Sequence, residues 1–344
     1  MIEFIIISFA KICTVIGVML GIVAYTVMLE RWVCAWIQDR IGPNRVGPFG
    51  LLQPMADGIK LMLKEDVLPN HVHKVLYTVG PMLVILPALV NMAVIPWGSN
   101  LPILGRQVKC VIADLNIGIL FIFAFAAFSV YGIVLAGWAS NSKYSFLGGV
   151  RSSAQMISYE VALGLSVVPV FMQVGSLNLG KVVEYQAQHG WMAFYPYQWI
   201  PLFVFTVSAF AETNRLPFDM PEAEQELVGG YNTEYSSMKF GMFFMGEYAA
   251  MFVMSSLMTT LFWGGWSLPF APFNAPAQVL WVGLAQIGIF LAKTIFGLFL
   301  YVWVRWTIPR FRYDQLMAFG WKVFIPLALM NILITGVILA MVQK

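Results

Sequence analysis

The chain has 344 residues, 60% of them hydrophobic and 11% charged, with a net charge of +3 and a mean hydropathy of +0.77. Soluble domains carry about 25% charged residues, so this composition excludes a water-soluble globular enzyme. Cys13, Cys34 and Cys110 are scattered, and His71, His73 and His189 fall between apolar runs. The chain therefore lacks the roughly four thiolates of an iron–sulfur cluster and the in-span ligands of a membrane haem, and any electrons must travel in a partner.

A spanning helix needs about 20 mostly apolar residues. Eight such windows follow one another, at Phe4–Leu29, Val75–Trp97, Leu115–Trp138, Ala154–Val174, Trp191–Ala211, Phe240–Trp266, Val279–Val304 and Val323–Val342. The expected fold is an all-α polytopic membrane protein of eight transmembrane helices forming one integral-membrane domain over 1–344. The first window is too long for a signal-peptide core and no small-residue cleavage site follows it, so it is expected to be retained.

Beyond it lie Glu30-Arg31 and then Gln38 to Pro48, where Gly-Pro-Asn and Gly-Pro predict a shaped turn. A short helix is expected from about Gln53 to Glu65, with Pro54 in its first turn. Its apolar residues recur at helical spacing, while Gln53, Asp57, Lys60 and Lys64 form a polar stripe. Too short to span, it is expected to lie in the interface plane as an amphipathic helix. Asp57 and Lys60 then either sit in solvent or face a cavity in the protein.

Inward loops are expected at about 30–74, 139–153, 212–239 and 305–322, and they hold most of the Lys and Arg. The opposite loops hold only Arg106, Lys109 and Lys181, so both termini are expected on the outer side. The outer loops are rich in Gly, Pro and aromatics, without a cluster of catalytic residue types. No internal repeat stands out, which weighs against an inverted-repeat transporter.

Glu160 and Glu247 each lie about two turns inside an apolar run. Ionisable residues within spans are rare and functional by default; snorkelling is the alternative, for which a short Glu stem is poorly suited. Lys11 and Lys293 raise the same question, but their long stems favour snorkelling. The segment Phe210–Phe240 holds six of the chain's seventeen acids: Glu212, Asp219, Glu222, Glu224, Glu226 and Glu234, answered only by Arg215 and Lys239. A solvated acidic loop is one reading. Its Phe218, Met220, Tyr231 and Tyr235 favour a folded segment with apolar surface to bury. A carboxyl group out of water can accept and release a proton near neutral pH, so Glu160, Glu212 and Glu247, from three windows, could form one relay cluster.

The run from Glu30-Arg31 through Asp39-Arg40-Ile-Gly-Pro-Asn-Arg-Val-Gly-Pro-Phe-Gly-Leu-Leu-Gln-Pro to Asp57 and Lys60 resembles the first inward loop of the NuoH-type membrane subunit of complex I, the proton-pumping NADH:quinone oxidoreductase. Glu212-Thr-Asn-Arg215…Asp219-Met-Pro-Glu222-Ala-Glu224-Gln-Glu226…Glu234 resembles that family's acidic loop, and Pro309-Arg310-Phe-Arg312-Tyr-Asp-Gln-Leu-Met its last inward loop. The similarity runs end to end, with Trp32, Ile41 and Leu68–His73 as departures. The resemblance implies an inner-membrane subunit, bacterial or mitochondrial, at the heel of the membrane arm. It implies a quinone chamber lined by Arg40, Asp57, Lys60, Glu30 and Arg31, and a coupling path through Glu160, Glu212, Glu222, Glu224, Glu226, Glu234 and Glu247. Arg215 and Asp219 would support the loop, and Arg310 and Arg312 would meet the peripheral arm. NADH, FMN and iron–sulfur clusters would belong to partner subunits, leaving no cofactor and no catalytic residue on this chain, with a lipid quinone as substrate. The homologous subunit of a membrane-bound hydrogenase is the nearest alternative; a stand-alone transporter and a passive anchor are rivals of other classes.

Overall fold

The computed structural model describes residues 2–103, 106–220, 228–270 and 272–342. Helix α1 (Ile2–Ile37) is followed by α2 (Gln53–Leu63), α3 (Lys74–Asn91), a hairpin of β1 (Asn100–Ile103) and β2 (Arg106–Lys109), α4 (Gly118–Ala139) and α5 (Lys143–Val174). Then come α6 (Leu179–His189), α7 (Trp199–Glu212), α8 (Ser237–Phe262), α9 (Leu280–Thr307), α10 (Tyr313–Ala318), a π turn at Phe319–Phe324, and α11 (Ile325–Val342). Helices α3, α4, α5, α7 and α8 pack in that order, and α8 returns to α3, closing a five-helix ring. Helices α1 and α9 pack on α8, and α11 on α5 and α7.

Seven helical segments among the described residues are long and apolar enough to cross a membrane, and they make this a multi-pass membrane protein. The window Trp191–Ala211 differs from expectation. Pro196 and Pro201 punctuate it, two 3-10 turns occupy Met192–Gln198, and only the 14 residues of α7 are α-helical. At 1.5 Å per residue α7 is about 21 Å long, short of a hydrocarbon core of about 30 Å. The segment 139–153 also departs from the expected loop, since α5 begins at Lys143. Its glycines serve close packing: a Cβ on Gly148 would stand 2.8 Å from Gly230 Cα. The stretch 97–114 contributes the small β hairpin to an otherwise helical chain, and the stretch 175–191 contributes α6.

Between α1 and α2 the chain makes the expected turn. Phe49 and Gly50 both have positive φ, and a Cβ on Gly50 would stand 2.2 Å from Pro43 O, so only glycine fits there. Helix α2 buries none of its residues, and Met55, Ile59, Met62 and Leu63 form an exposed apolar set. In α3, Pro81 and Pro87 are accommodated within the helix, as neighbouring helices permit in membranes. The main core runs through the ring, with Tyr159, Phe205, Phe252, Phe262 and Phe290 essentially inaccessible.

One end of the bundle gathers the α1–α2 turn and the segments before α3, after α7, before α8 and after α9. Cross-links between them are specific. Ser237 Oγ donates to Leu61 O and Lys64 O at 3.0 and 2.8 Å, Tyr77 Oη donates to Glu234 O at 2.6 Å, and His73 N donates to Ala139 O at 3.0 Å.

Candidate functional site

The segment leaving α7 is pinned from below by α5. Gln155, fully buried, donates its amide to Ala211 O at 2.8 Å and to Phe218 O at 2.6 Å. Phe218 packs on the Tyr159 ring, 5.6 Å between centroids, and Tyr159 Oη donates to Leu316 O at 2.8 Å. From the far side Phe311 N donates to Pro217 O at 3.3 Å, and Arg310 donates to Asp219 at 2.9 Å. A polar tetherwork thus fixes a non-helical segment between packed helices, which is the condition for irregular backbone at such depth.

That segment presents Arg215, only 5% exposed, to acids from two helices. Arg215 Nε lies 2.6 Å from Glu247 Oε1 of α8, and Nη1 lies 3.8 Å from Glu30 Oε2 of α1. The Arg215 guanidinium stacks over the Tyr248 ring at 4.2 Å, while Tyr248 Oη donates to Glu30 Oε2 at 2.6 Å. Arg305, near the end of α9, donates to Glu30 Oε1. Two carboxylates and two guanidiniums from four parts of the chain balance in formal charge. The contact between Arg215 Nε and Glu247 is close but poorly aligned as a hydrogen bond, and Arg215 Nη2 has no hydrogen-bond partner among the described residues. Charge, more than directed bonding, holds this network.

Three residues before Arg215, Glu212 is 6% exposed, and its Oε2 has no hydrogen-bond partner among the described residues. Glu160 of α5 is half-buried and close enough to Glu212 to act on it electrostatically, and Glu212 in turn acts on Tyr301 of α9. The structure thus places Glu212 within electrostatic reach of Glu160, and joins Glu247 and Glu30 through Arg215.

The other expected residues sit apart. Arg31 pairs with Asp57 at 2.8 Å, and Gln53 donates to Asp57 at 3.1 Å, so the first half of the polar stripe of α2 meets the end of α1. Lys60 is exposed. Arg40 is exposed as well; its Nε donates to Gln38 at 2.7 Å, and it borders an open cavity of about 490 Å³ with Trp32, Trp36, Ile41 and Phe49. Glu234 lies 3.9 Å from His71 Nε2, away from the Arg215 network. Arg310 is spent on Asp219, whereas Arg312 is exposed beside Asp314 at 3.2 Å. Glu222, Glu224 and Glu226 lie outside the described residues. No group of three or more His, Cys, Asp or Glu among the described residues could hold a metal ion.

Three contributors carry no assigned role in the sequence reading. They are Arg305, Tyr248 and Gln155. Only the placement of Tyr248 next to an in-span acid offers a signal.

Fold and site together define a multi-pass helical membrane protein with a buried ion network at one end of its bundle. A family profile described as NADH dehydrogenase matches residues 10–336. The chain is 47% identical over 335 residues to the NADH-quinone oxidoreductase H-subunit 1 of Cytophaga hutchinsonii, covering 97% of each. It is 51% identical over 333 residues to the H-subunit 1 of Geobacter metallireducens, covering 97% of this chain and 96% of that one. It is 50% identical over 329 residues to NADH-quinone oxidoreductase subunit 8 of Rhodothermus marinus, covering 93% of each. The chain belongs to this family, the H-subunit type of NADH dehydrogenase.

Proposed function

We propose that this chain is the complex I subunit that admits a lipid quinone from the bilayer to a chamber at the junction with the peripheral arm, and that its buried acids couple quinone reduction to proton translocation. Peripheral quinone-module subunits would deliver the electrons and the other membrane-arm subunits would carry the protons onward. The chain would form one integral-membrane unit in the bacterial inner membrane or its mitochondrial counterpart, with both termini outside. The segment of α7 with its two 3-10 turns would serve as a shortened eighth span, and α2 would lie in the interface with Met55, Ile59, Met62 and Leu63 toward lipid.

The observation that carries the reading is the buried Glu212 carboxyl, with an oxygen that has no hydrogen-bond partner among the described residues, three residues from an arginine shared by Glu247 and Glu30. Two neighbouring carboxyl groups in a dry setting repel when both are charged, so such a pair takes up or releases a proton in response to nearby charge. A charge change in a chamber bordered by Arg40, Arg31 and Asp57, with Lys60 nearby, would act on Glu30 and then Arg215. Arg215 would shift its share of charge between Glu30 and Glu247, and the Glu160–Glu212 pair would answer. Glu222, Glu224, Glu226 and Glu234 would extend the path, Asp219 and Arg310 would hold its loop, and Arg312 would meet the peripheral arm.

The test is Glu212→Gln and Glu224→Gln in the assembled enzyme. Both are expected to assemble while quinone reduction and proton pumping are impaired; normal rates of both would leave only an anchor. The rival assignment to a membrane-bound hydrogenase predicts no response to quinone-site inhibitors, whereas inhibition is expected here.

A further inference from the structure

Helix α2 packs on α1 and α8, yet it buries none of its own residues, so apolar burial within this chain does not fix where it lies. Polar joints do. Near its start, Asp57 takes Arg31 from the end of α1 and Gln53 from its own first turn. At its other end the last carbonyls of a helix have no partner within the helix, and Ser237, the first residue of α8, comes to meet them. The Ser237 hydroxyl lies 3.0 Å from Leu61 O and 2.8 Å from Lys64 O, and its one proton is shared between the two. Lys239 adds a 2.7 Å pair with Asp66, just past α2. Gly241 lets the two helices approach: a Cβ there would stand 3.0 Å from Leu61 Cδ1.

Ser237 has a φ of 55° and is 5% exposed. Glycine adopts that backbone conformation freely, so a serine held there points to its hydroxyl. The joint also completes a circuit. Arg31–Asp57 ties α1 to α2, Ser237 ties α2 to α8, and the Tyr248 hydroxyl ties α8 back to Glu30 of α1. Ser237 and Glu247 lie on one continuous helix, about 15 Å apart at 1.5 Å per residue. We infer that Ser237 is a positioning residue: its hydroxyl locks the end of α2 to the start of α8, so that the helix bearing Asp57 and the helix bearing Glu247 and Tyr248 move as one. This rests on the quinone chamber proposed above, which Asp57 borders. It gives that chamber a mechanical line to the buried ion network, beside the electrostatic one through Glu30.

The test compares Ser237→Ala with Ser237→Gly in the intact complex in lipid nanodiscs. Both remove the hydroxyl, and the glycine also relieves the backbone. Hydrogen exchange of the amides at 60–66 is expected to quicken about fivefold in both, the worth of one hydrogen bond. The KM for a short-chain ubiquinone is expected to rise by a similar factor with a smaller fall in kcat, and fewer protons should be pumped per quinone reduced. Wild-type exchange in Ser237→Gly overturns the inference, since the hydroxyl would then hold nothing. Faster exchange with KM and proton yield both unchanged also overturns it, leaving a structural bond without a positioning role. Failure of the chamber reading shows elsewhere, in the unaltered complex, as α2 exchange indifferent to a saturating quinone-site inhibitor. That outcome removes the chamber and the positioning role with it, while the exchange in Ser237→Gly still decides whether Ser237 joins the two helices.

Discussion

Arg215→Gln is the most informative single change. The side chain is 5% exposed and its Nε stands 2.6 Å from Glu247 and its Nη1 3.8 Å from Glu30. With an effective dielectric of about 20, the gross attractions are about 6 and about 4 kcal/mol. Desolvation takes back much of this, but breaking a buried pair from one side still costs about 3–5 kcal/mol because the acids stay behind. Glu30 keeps Arg305 and the Tyr248 hydroxyl. Thermal inactivation of the solubilised complex is the assay, run as a double-mutant cycle with Glu247→Gln. Arg215→Gln alone is expected to speed inactivation on the order of a hundredfold. The double variant, left without either member of the pair, is expected to recover most of that, since neutral replacements of buried pairs are tolerated. Strict additivity, with a coupling energy under about 0.5 kcal/mol, would refute the ion pair and with it the charge-held network.

Gln155→Leu removes the side-chain donor to Ala211 O and Phe218 O, each of which keeps a backbone donor, from Asn214 N and Met220 N, and is expected to cost about 0.5–1.5 kcal/mol per lost bond; faster hydrogen exchange across 211–220 is the expected result. Gly148→Ala drives a methyl to within 2.9 Å of Tyr231 N and is expected to cost about 1–3 kcal/mol, measured as a lower yield of assembled complex, whereas Gly164→Ala, with open space around it, should be neutral. In the loop after β2 the hydrogen bonds from Lys109 and Asn178 hold the Asp114 carboxyl below the usual carboxylate range. A depressed folded-state pKa contributes stability that is present above the unfolded value and lost as pH falls through the folded one. Protease protection of the 106–117 loop should therefore persist at pH near neutrality, fall below about pH 4, and lose that dependence in Asp114→Asn.

Much of this architecture could be read from the chain because apolar runs report bilayer crossings directly. Seven of the eight expected windows correspond to long helices, with α1 and α5 extending well beyond theirs. In the window Trp191–Ala211, interrupted by Pro196 and Pro201, only the 14 residues of α7 are α-helical. The start of α5 was hidden because Gly148 and Gly149 look like loop until Gly137 and Gly230 are seen against them. Among the site residues, the in-span position of Glu247 and the density of acids after α7 were visible locally. The partners were not. That Arg305 answers Glu30, or that Gln155 supports the backbone carrying Arg215, depends on contacts across the ring that no local pattern encodes. Arg310 reads as a surface base, yet it turns inward to Asp219.

The closing of this network has a timetable set by chain order. Glu30 leaves the ribosome 275 residues ahead of Arg305 and 218 ahead of Tyr248. For much of synthesis the first helix therefore carries a carboxyl whose partners on later helices have not yet been made. The network is whole only once α9 docks, and a truncation lacking α9 should leave the earliest-made helix with Arg215 and Tyr248 on its acid but without Arg305.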